Sequence, residues 1–368
     1  MIVYNSMIVM VLVLTVIYHI QRPDTALRLS RPIPWPYAIL AMGYIIFWAA
    51  MRSGFIDTKV YIGHFENAPT GIDEAFELLH TPAKSPTWNF LQSLFKTFIS
   101  TDYHWWLATI AIISGVPIML VFRKKSVDYL FSVYLFTAST TFSWMFNGIR
   151  QFVVAAIAFG FYFLLVEKKR LLFIGIILLL SLIHSTILIM LPAVFFVDCK
   201  PFGKMMSLFV IIILISAFFM GSVTDTMDEL LQDTTYHHNL DQFEKDDGAN
   251  PLRVLFESVP VLMAFIKRRE IAATNNTFLN LCINMSTVAA GIYYIAMLTS
   301  GIMIGRLPIY FSLYNFILIP YLINFFYTSH RRELYLIFYI AYIIFYFYST
   351  PYFYYVSDVL GISPLLNN

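Results

Sequence analysis

The sequence predicts an all-α, polytopic integral membrane protein, and two observations carry that prediction. The first is composition: of 368 residues, 59% are hydrophobic, 18% aromatic and only 12% charged, with a mean hydropathy of +0.71. That is more apolar surface than a soluble core of this length can bury. The second is pattern. Apolar runs approaching the ~20 residues that cross a hydrocarbon layer of ~30 Å recur along the chain, separated by short charged segments. The expected architecture is one transmembrane domain over 1–368, with about ten full spans and a V-shaped pair of short helices around His184.

In chain order, the spans are predicted over 3–20, 37–51, 103–122, 127–146, 150–166, 205–222, 252–266, 278–298, 307–326 and 334–348. The first run is preceded by no basic residue and followed by Arg22, Arg28 and Arg31, so it reads as a retained span with an external N-terminus. Threading onward puts Arg123-Lys124-Lys125, Lys168-Lys169-Arg170, Lys267-Arg268-Arg269 and Arg331-Arg332 on the cytoplasmic side. They agree only if segment 171–197, which lies between Arg170 and Lys200, crosses the bilayer an even number of times. Its 27 residues are too many for one upright span and too few for two. At ~1.5 Å per residue, the stretch from Leu171 to Ile183 rises ~20 Å, which places the break at His184 in the outer half of the membrane. This threading leaves eight of the 24 Lys and Arg outside (Arg52, Lys59, Lys84, Lys96, Arg150, Lys245, Arg253, Arg306) and sixteen inside.

Two connections are long enough to be functional surface, 52–102 and 223–250 on the outer side. In the first, Trp88, Leu91, Leu94, Phe95, Phe98 and Ile99 recur at helical spacing opposite Gln92, Ser93, Lys96 and Thr97. This reads as an amphipathic helix along the interface or packed over the bundle. The second is acidic and contains His237-His238, but adjacent residues on a helix diverge and no i,i+4 ligand geometry completes a metal site. Cys199 and Cys282 form no disulfide or thiolate pattern. The Asn280, Asn284, Thr287, Gly291 stripe reads as helix-packing contact.

Arg150, Arg253 and Arg306 stand at the first turns of runs that descend from the outer side. A cation there opposes the helix dipole and the positive-inside tendency, which points to a bound anion. Helix N-termini offer unpaired N–H groups and Arg offers a planar fork, the two halves of a phosphate cradle. The plainer account is that each arginine snorkels to lipid headgroups. Arg52 follows a span, where dipole compensation alone would explain it. Glu257 lies one turn inside Arg253, at i,i+4, and reads as its partner or as a general base. His184, at a helix break, reads as facing a cavity or as a buried, hydrogen-bonded ring.

These residues also carry a resemblance. Arg52-Ser53-Gly54-Phe55-Ile56-Asp57-Thr58-Lys59-Val60-Tyr61, an R-x4-D-x3-Y pattern after the second span, resembles the opening motif of the EpsG family of exopolysaccharide proteins, a branch of the Wzy-type polysaccharide polymerases. Asn147-Gly148-Ile149-Arg150-Gln151, Ile183-His184-Ser185 with Leu191-Pro192, Asn250-Pro251-Leu252-Arg253, and Arg306-Leu307-Pro308-Ile309-Tyr310-Phe311 resemble its later segments in order. The acidic loop and the tyrosine-rich C-terminal tail match no part of it.

The resemblance implies a metal-independent glycosyltransferase with a GT-C-like bundle in the bacterial cytoplasmic membrane. It would join undecaprenyl-pyrophosphate-linked oligosaccharide repeats at the outer face for an O-antigen, capsule or exopolysaccharide. It implies no cofactor and no nucleic acid; membrane lipids and a chain-length regulator would be its other partners. The expected pyrophosphate contacts are Arg150, Arg253 and Arg306, with Arg52 on the acceptor or sugar side and Tyr61 and Tyr310 in the binding motifs. The general base is expected at Asp57, then His184, then Glu257, although Asp57 could equally form a local ion pair with Arg52 or Lys59. Two other classes would also use buried cations: a transporter or flippase of lipid-linked oligosaccharide, which predicts inverted repeats not visible here, and a membrane acyltransferase with a histidine base.

Overall fold

The computed structural model describes residues 1–23, 31–80, 85–212, 248–299 and 304–363, together with 215 and 301. Within these the secondary structure is helical, and the only extended pairing is a pair of isolated bridges, Gly54 with Val356 and Ser357 with Ile362. The acidic stretch up to residue 247, with His237-His238, and most of the expected span 205–222 lie outside the described residues. The chain forms two compact units. One comprises Met1–Phe163, Leu171–Leu188 and Thr328–Asn368, the other Leu164–Arg170 and Ile189–Tyr327.

In the first unit, α1 (Ile2–Gln21), α2 (Trp35–Ala50), α6 (Tyr103–Lys125), α7 (Tyr129–Ala138) and α8 (Ile149–Gly160) pack together, with α17 (Arg331–Ser349) against α7. Close approach of α2 to α6 depends on Gly115, where a Cβ would stand 2.3 Å from Ile46 Cγ1. The outer connection folds as three further helices, α3 (Thr58–Glu66), α4 (Ile72–His80) and α5 (Pro86–Phe98). The second unit contains α12 (Pro251–Ile266), α14 (Thr277–Leu298) and α16 (Asn315–Phe325), with α12 lying against both others.

Three described helices, Ile2–Gln21, Tyr103–Lys125 and Thr277–Leu298, are long and apolar enough to cross a bilayer alone. Ile304–Ser312 with Asn315–Phe325, bent by 50°, makes a fourth if the pair is one span. The expectation of ten full spans is therefore met only in part, and the differences have local causes. The expected span 127–146 ends as an α-helix at Ala138, because Thr140 turns left-handed at φ 64° and the chain continues as a 3-10 helix, Thr141–Met145. The expected span 150–166 is interrupted at Phe161. Segment 171–197 is broken where His184 stands: α10 (Arg170–Ser181) stops, and a 3-10 helix, Ser185–Met190, follows.

The amphipathic reading of 88–99 is corrected. Its helix buries Trp88 and Phe95 as expected but also Gln92 and Ser93, and leaves Phe98 and Ile99 exposed. The cause is the returning segment 66–71, which lies on the polar side. Ser93 Oγ donates to Pro69 O at 2.8 Å. Lys96 Nζ donates to Glu66 O at 2.5 Å and Ala68 O at 2.8 Å, which satisfies carbonyls at the end of α3, and Gly71 N donates to Thr97 Oγ1 at 2.9 Å.

The tyrosine-rich tail straps the first unit. Tyr346 OH donates to Asn5 Oδ1 at 3.0 Å, Tyr4 OH to Tyr354 O at 3.0 Å and Tyr355 OH to Trp48 O at 2.9 Å. Rings provide apolar bulk while each hydroxyl meets a polar group that would otherwise be stranded. The tail then pairs with the Arg52 loop: Ser53 N donates to Val356 O at 2.8 Å and Val356 N to Gly54 O at 3.0 Å.

Candidate functional site

In the first unit the R-x4-D-x3-Y segment forms the end of α2 and the start of α3. Arg52 is fully buried. Its Nη1 donates to Ala49 O, its Nε donates to Thr58 Oγ1 at 3.3 Å, and the guanidinium lies 5.5 Å from the Phe146 ring centroid. Thr58 Oγ1 in turn donates to Phe146 O at 3.3 Å. Arg52 thus ties the carbonyl end of α2 to α3, and its Nη2 is left without a hydrogen-bond partner. Asp57, half-buried, takes the N-cap position of α3, yet its carboxylate caps no backbone N–H. Among the described residues it forms no ion pair with Arg52 or Lys59, so the local pairing expected as an alternative does not occur.

Arg150 occupies the first turn of α8. That helix starts because Gly148 turns left-handed at φ 68°; a Cβ there would fall 2.7 Å from the Trp144 ring. Arg150 Nη1 donates to Ser85 Oγ at 2.6 Å, just ahead of α5. One apolar cluster joins these segments. Phe65 of α3, Trp88 and Phe95 of α5, Trp106 of α6 and Ile149 of α8 form it, and Tyr61 and Ile183 pack against it. The motif helix, the neighbour of Arg150 and the neighbour of His184 therefore share one core.

In the second unit Arg253 is in the first turn of α12, whose N-cap Asn250 accepts from Leu252 N at 2.8 Å. Glu257, 5% exposed, lies 3.8 Å from Arg253 Nη1 and accepts from Asn315 Nδ2 at 2.6 Å. Tyr293 also hydrogen-bonds Arg253. A buried charge is costly unless it is paired and hydrogen-bonded, so the pair and the amide explain each other.

Arg306 differs from expectation: it ends a 3-10 turn, Ile304–Arg306, ahead of the short helix α15 (Ile309–Ser312), and is exposed. That turn packs against α14. Ala249 N donates to Ala296 O at 2.9 Å, and a Cβ at Gly305 would lie 3.8 Å from Ala296 and 3.9 Å from Ala249. The start of α12 and the Arg306 turn accordingly meet at the end of α14. Tyr310 is buried, 1% exposed, behind them.

The EpsG family pattern matches residues 35–363. The chain belongs to the EpsG family. This is the family of Wzy-type polysaccharide polymerases, so membership identifies a membrane polysaccharide polymerase of glycosyltransferase type with a lipid-linked oligosaccharide substrate. The match spans both units and every motif named above. No curated protein and no solved structure matches the chain.

Two features of this EpsG-family chain left no local mark in the residue pattern: the burial of Arg52, and the contact of the tail with the motif loop. A third is a cavity of about 310 Å³ beside α3, whose mixed lining includes His64, Asn67, Pro69, Leu78, Asn89 and Gln92.

Proposed function

We propose that this EpsG-family protein joins undecaprenyl-pyrophosphate-linked oligosaccharide repeats at the outer face of the bacterial cytoplasmic membrane. In the transfer, an acceptor hydroxyl oxygen attacks the anomeric carbon of the donor sugar. The bond from that carbon to the phosphate oxygen breaks, and lipid pyrophosphate leaves with the bonding electrons. A base takes the acceptor proton. Charge accumulates on the leaving group, and placing fixed cations there is usually the largest catalytic contribution.

The observation that carries this reading is the arrangement around Arg253. A buried Glu257 and Asn315 hold it at a helix start, and the Arg306 turn meets the same end of the unit. Arg253 and Arg306 are proposed to contact one pyrophosphate, with Tyr310 bracing the turn behind them. Donor and acceptor each carry a pyrophosphate, and Arg150 is assigned to a second one. Glu257, already committed to Arg253 and Asn315, is a positioning residue in this scheme. Asp57 is the proposed base, because its carboxylate is unengaged and half-exposed, and His184 stands as the second candidate. Arg52 offers no surface to a substrate as folded, so its proposed part is to fix the loop bearing Asp57 and Tyr61.

The test is substitution in cells that lack the chromosomal copy. Arg253→Ala, Arg306→Ala and Arg150→Ala are each expected to lower polymer yield by at least about 10²-fold, the range for loss of one donor to a developing oxyanion, with normal amounts of inserted protein. Normal polymer from all three variants would overturn the assignment.

A further inference from the structure

The cavity beside α3 is not used by the chemistry above. Three helices build it: Gly63, His64 and Asn67 come from the C-terminal end of α3, Leu78 from α4, and Asn89 and Gln92 from α5. Its volume, about 310 Å³, is at the small end of the range for ligand pockets, about 300–1,000 Å³. It therefore suits one or two compact rings.

Its chemistry is narrow. No Lys, Arg, Asp or Glu lines it, so it lacks the fixed charge that would select an anion or a metal cation. It does contain three side-chain amides and an imidazole, groups that both donate and accept, beside the apolar surface of Ala68, Pro69 and Leu78. One of the amides is out of place as a purely structural element: Gln92 is 1% exposed and its Nε2 has no hydrogen-bond partner. A buried polar atom left unpaired is costly, and a hydroxylated ligand would recover part of that. Asn67, by contrast, is partly engaged, its Nδ2 donating to Gly63 O at 2.8 Å.

We propose that this cavity binds an uncharged pyranose unit of the saccharide. The identification of the ligand as sugar rests on the polymerase reading; the site itself stands on the cavity and the unpaired amide. Its position gives it a use. Asp57 takes the N-cap position of α3 and Asn67 the C-cap position, ten residues apart, or ~15 Å along a helix. A single short helix thus connects the proposed base to a sugar-holding pocket and sets their separation.

The experiment uses the full-length protein in lipid nanodiscs and reads saturation-transfer NMR with methyl glucopyranoside, methyl galactopyranoside and methyl N-acetylglucosaminide, with methyl glucuronide as the charged comparison. At least one neutral glycoside should bind in the millimolar range, more tightly than the glucuronide. Gln92→Leu should weaken that binding by at least tenfold. Because Gln92 is buried, the second variant is Gly63→Leu. A Cβ there meets nothing within 4 Å, so the side chain should fill the cavity without disturbing the fold and should also abolish binding.

Failure of all three neutral glycosides to bind, preference for the glucuronide, or binding unaffected by Gly63→Leu would overturn the pocket. The two readings fail separately. Lost polymer in the arginine variants with no glycoside binding sinks the pocket alone. Normal polymer in those variants with binding blocked by Gly63→Leu sinks the pyrophosphate roles given to the arginines and leaves the site.

Discussion

Two carboxylates ranked first and last as the expected base, Asp57 and Glu257, differ in their surroundings. Glu257 has a cation 3.8 Å from one carboxylate oxygen and an amide donating to the other at 2.6 Å, so its carboxylate is held by two partners. Asp57 has no such partner. Asp57→Asn should therefore abolish elongation in vitro on lipid-linked repeats while leaving substrate binding intact. Glu257→Gln should retain measurable turnover with an unchanged pH profile but a raised KM, because Arg253 loses its anchor. A pH profile altered by Glu257→Gln and untouched by removal of Asp57 would reverse the roles. Breaking a buried pair by removing one partner costs about 3–5 kcal/mol, so the isosteric amide is the informative substitution. The residue types and the i,i+4 spacing were legible in the sequence. Asn315, 58 positions away, was not, since nothing local marks which helix faces Glu257.

Between elements, the tail is joined to the start of α6 by a compact polar latch. Asp102 Oδ1 lies 2.6 Å from His104 Nδ1, Asp358 Oδ1 lies 2.9 Å from His104 Nε2, and Tyr103 OH donates to Asp358 Oδ2 at 2.5 Å. Only the doubly protonated ring can donate to both carboxylates. Burial pulls the Asp358 carboxyl upward, but hydrogen bonds from Tyr103 and His104 outweigh it and hold it at about 2. A carboxyl depressed by folding stabilises the latch above its unfolded pKa of about 3.9 and loses that contribution as pH falls toward its folded value. Hydrogen exchange at the Val356 and Ile362 amides, corrected for intrinsic rate, should be slowest near about pH 5, should accelerate below about pH 4, and should accelerate again as rising pH takes the second proton from His104, whose pKa burial lowers but the bonds to Asp358 and Asp102 raise overall. Asp358→Asn should show the acceleration even where the wild type exchanges slowest, and an acid-insensitive tail would contradict the latch. A second contact between elements was half legible. Asn284 stood out as a polar stripe member on an apolar helix, and its Nδ2 donates to Phe196 O at 2.7 Å and Cys199 O at 2.8 Å, pinning the end of α11 (Ala193–Phe196) to α14. Asn284→Leu strands two carbonyls and should cost about 1–3 kcal/mol, read as a lowered midpoint in thermal unfolding of the purified protein. The face of α5 was misread for the complementary reason: periodicity reports which residues share a side, and the polar side was covered by backbone returning from α3.

At the scale of the whole molecule, the threading read from the charge clusters and the proposed side of the chemistry both depend on segment 171–197. With a break at His184 and an even number of crossings, Lys168 and Lys204 share the cytoplasmic side, and Arg253 and Arg306 then fall on the outer side with Arg150. With one crossing, the side assigned to Arg253 and Arg306 reverses while that of Arg150 does not. The helix stop at Ser181 was legible because a run of that length suits neither one span nor two. The number of helices long enough to cross was not, since left-handed Thr140 and the bend before Asn315 carry no hydropathy signal. Single cysteines in a chain lacking Cys199 and Cys282 decide the matter through labelling of intact cells with a membrane-impermeant maleimide. Lys59→Cys should label from outside, whereas Lys168→Cys and Lys204→Cys should label only after the membrane is opened. All three positions present their side chains at the surface. External labelling of Lys204→Cys with internal labelling of Lys168→Cys would mean a single crossing. The second unit's arginines would then face the cytoplasm, and a transfer carried out at the outer leaflet could not be theirs.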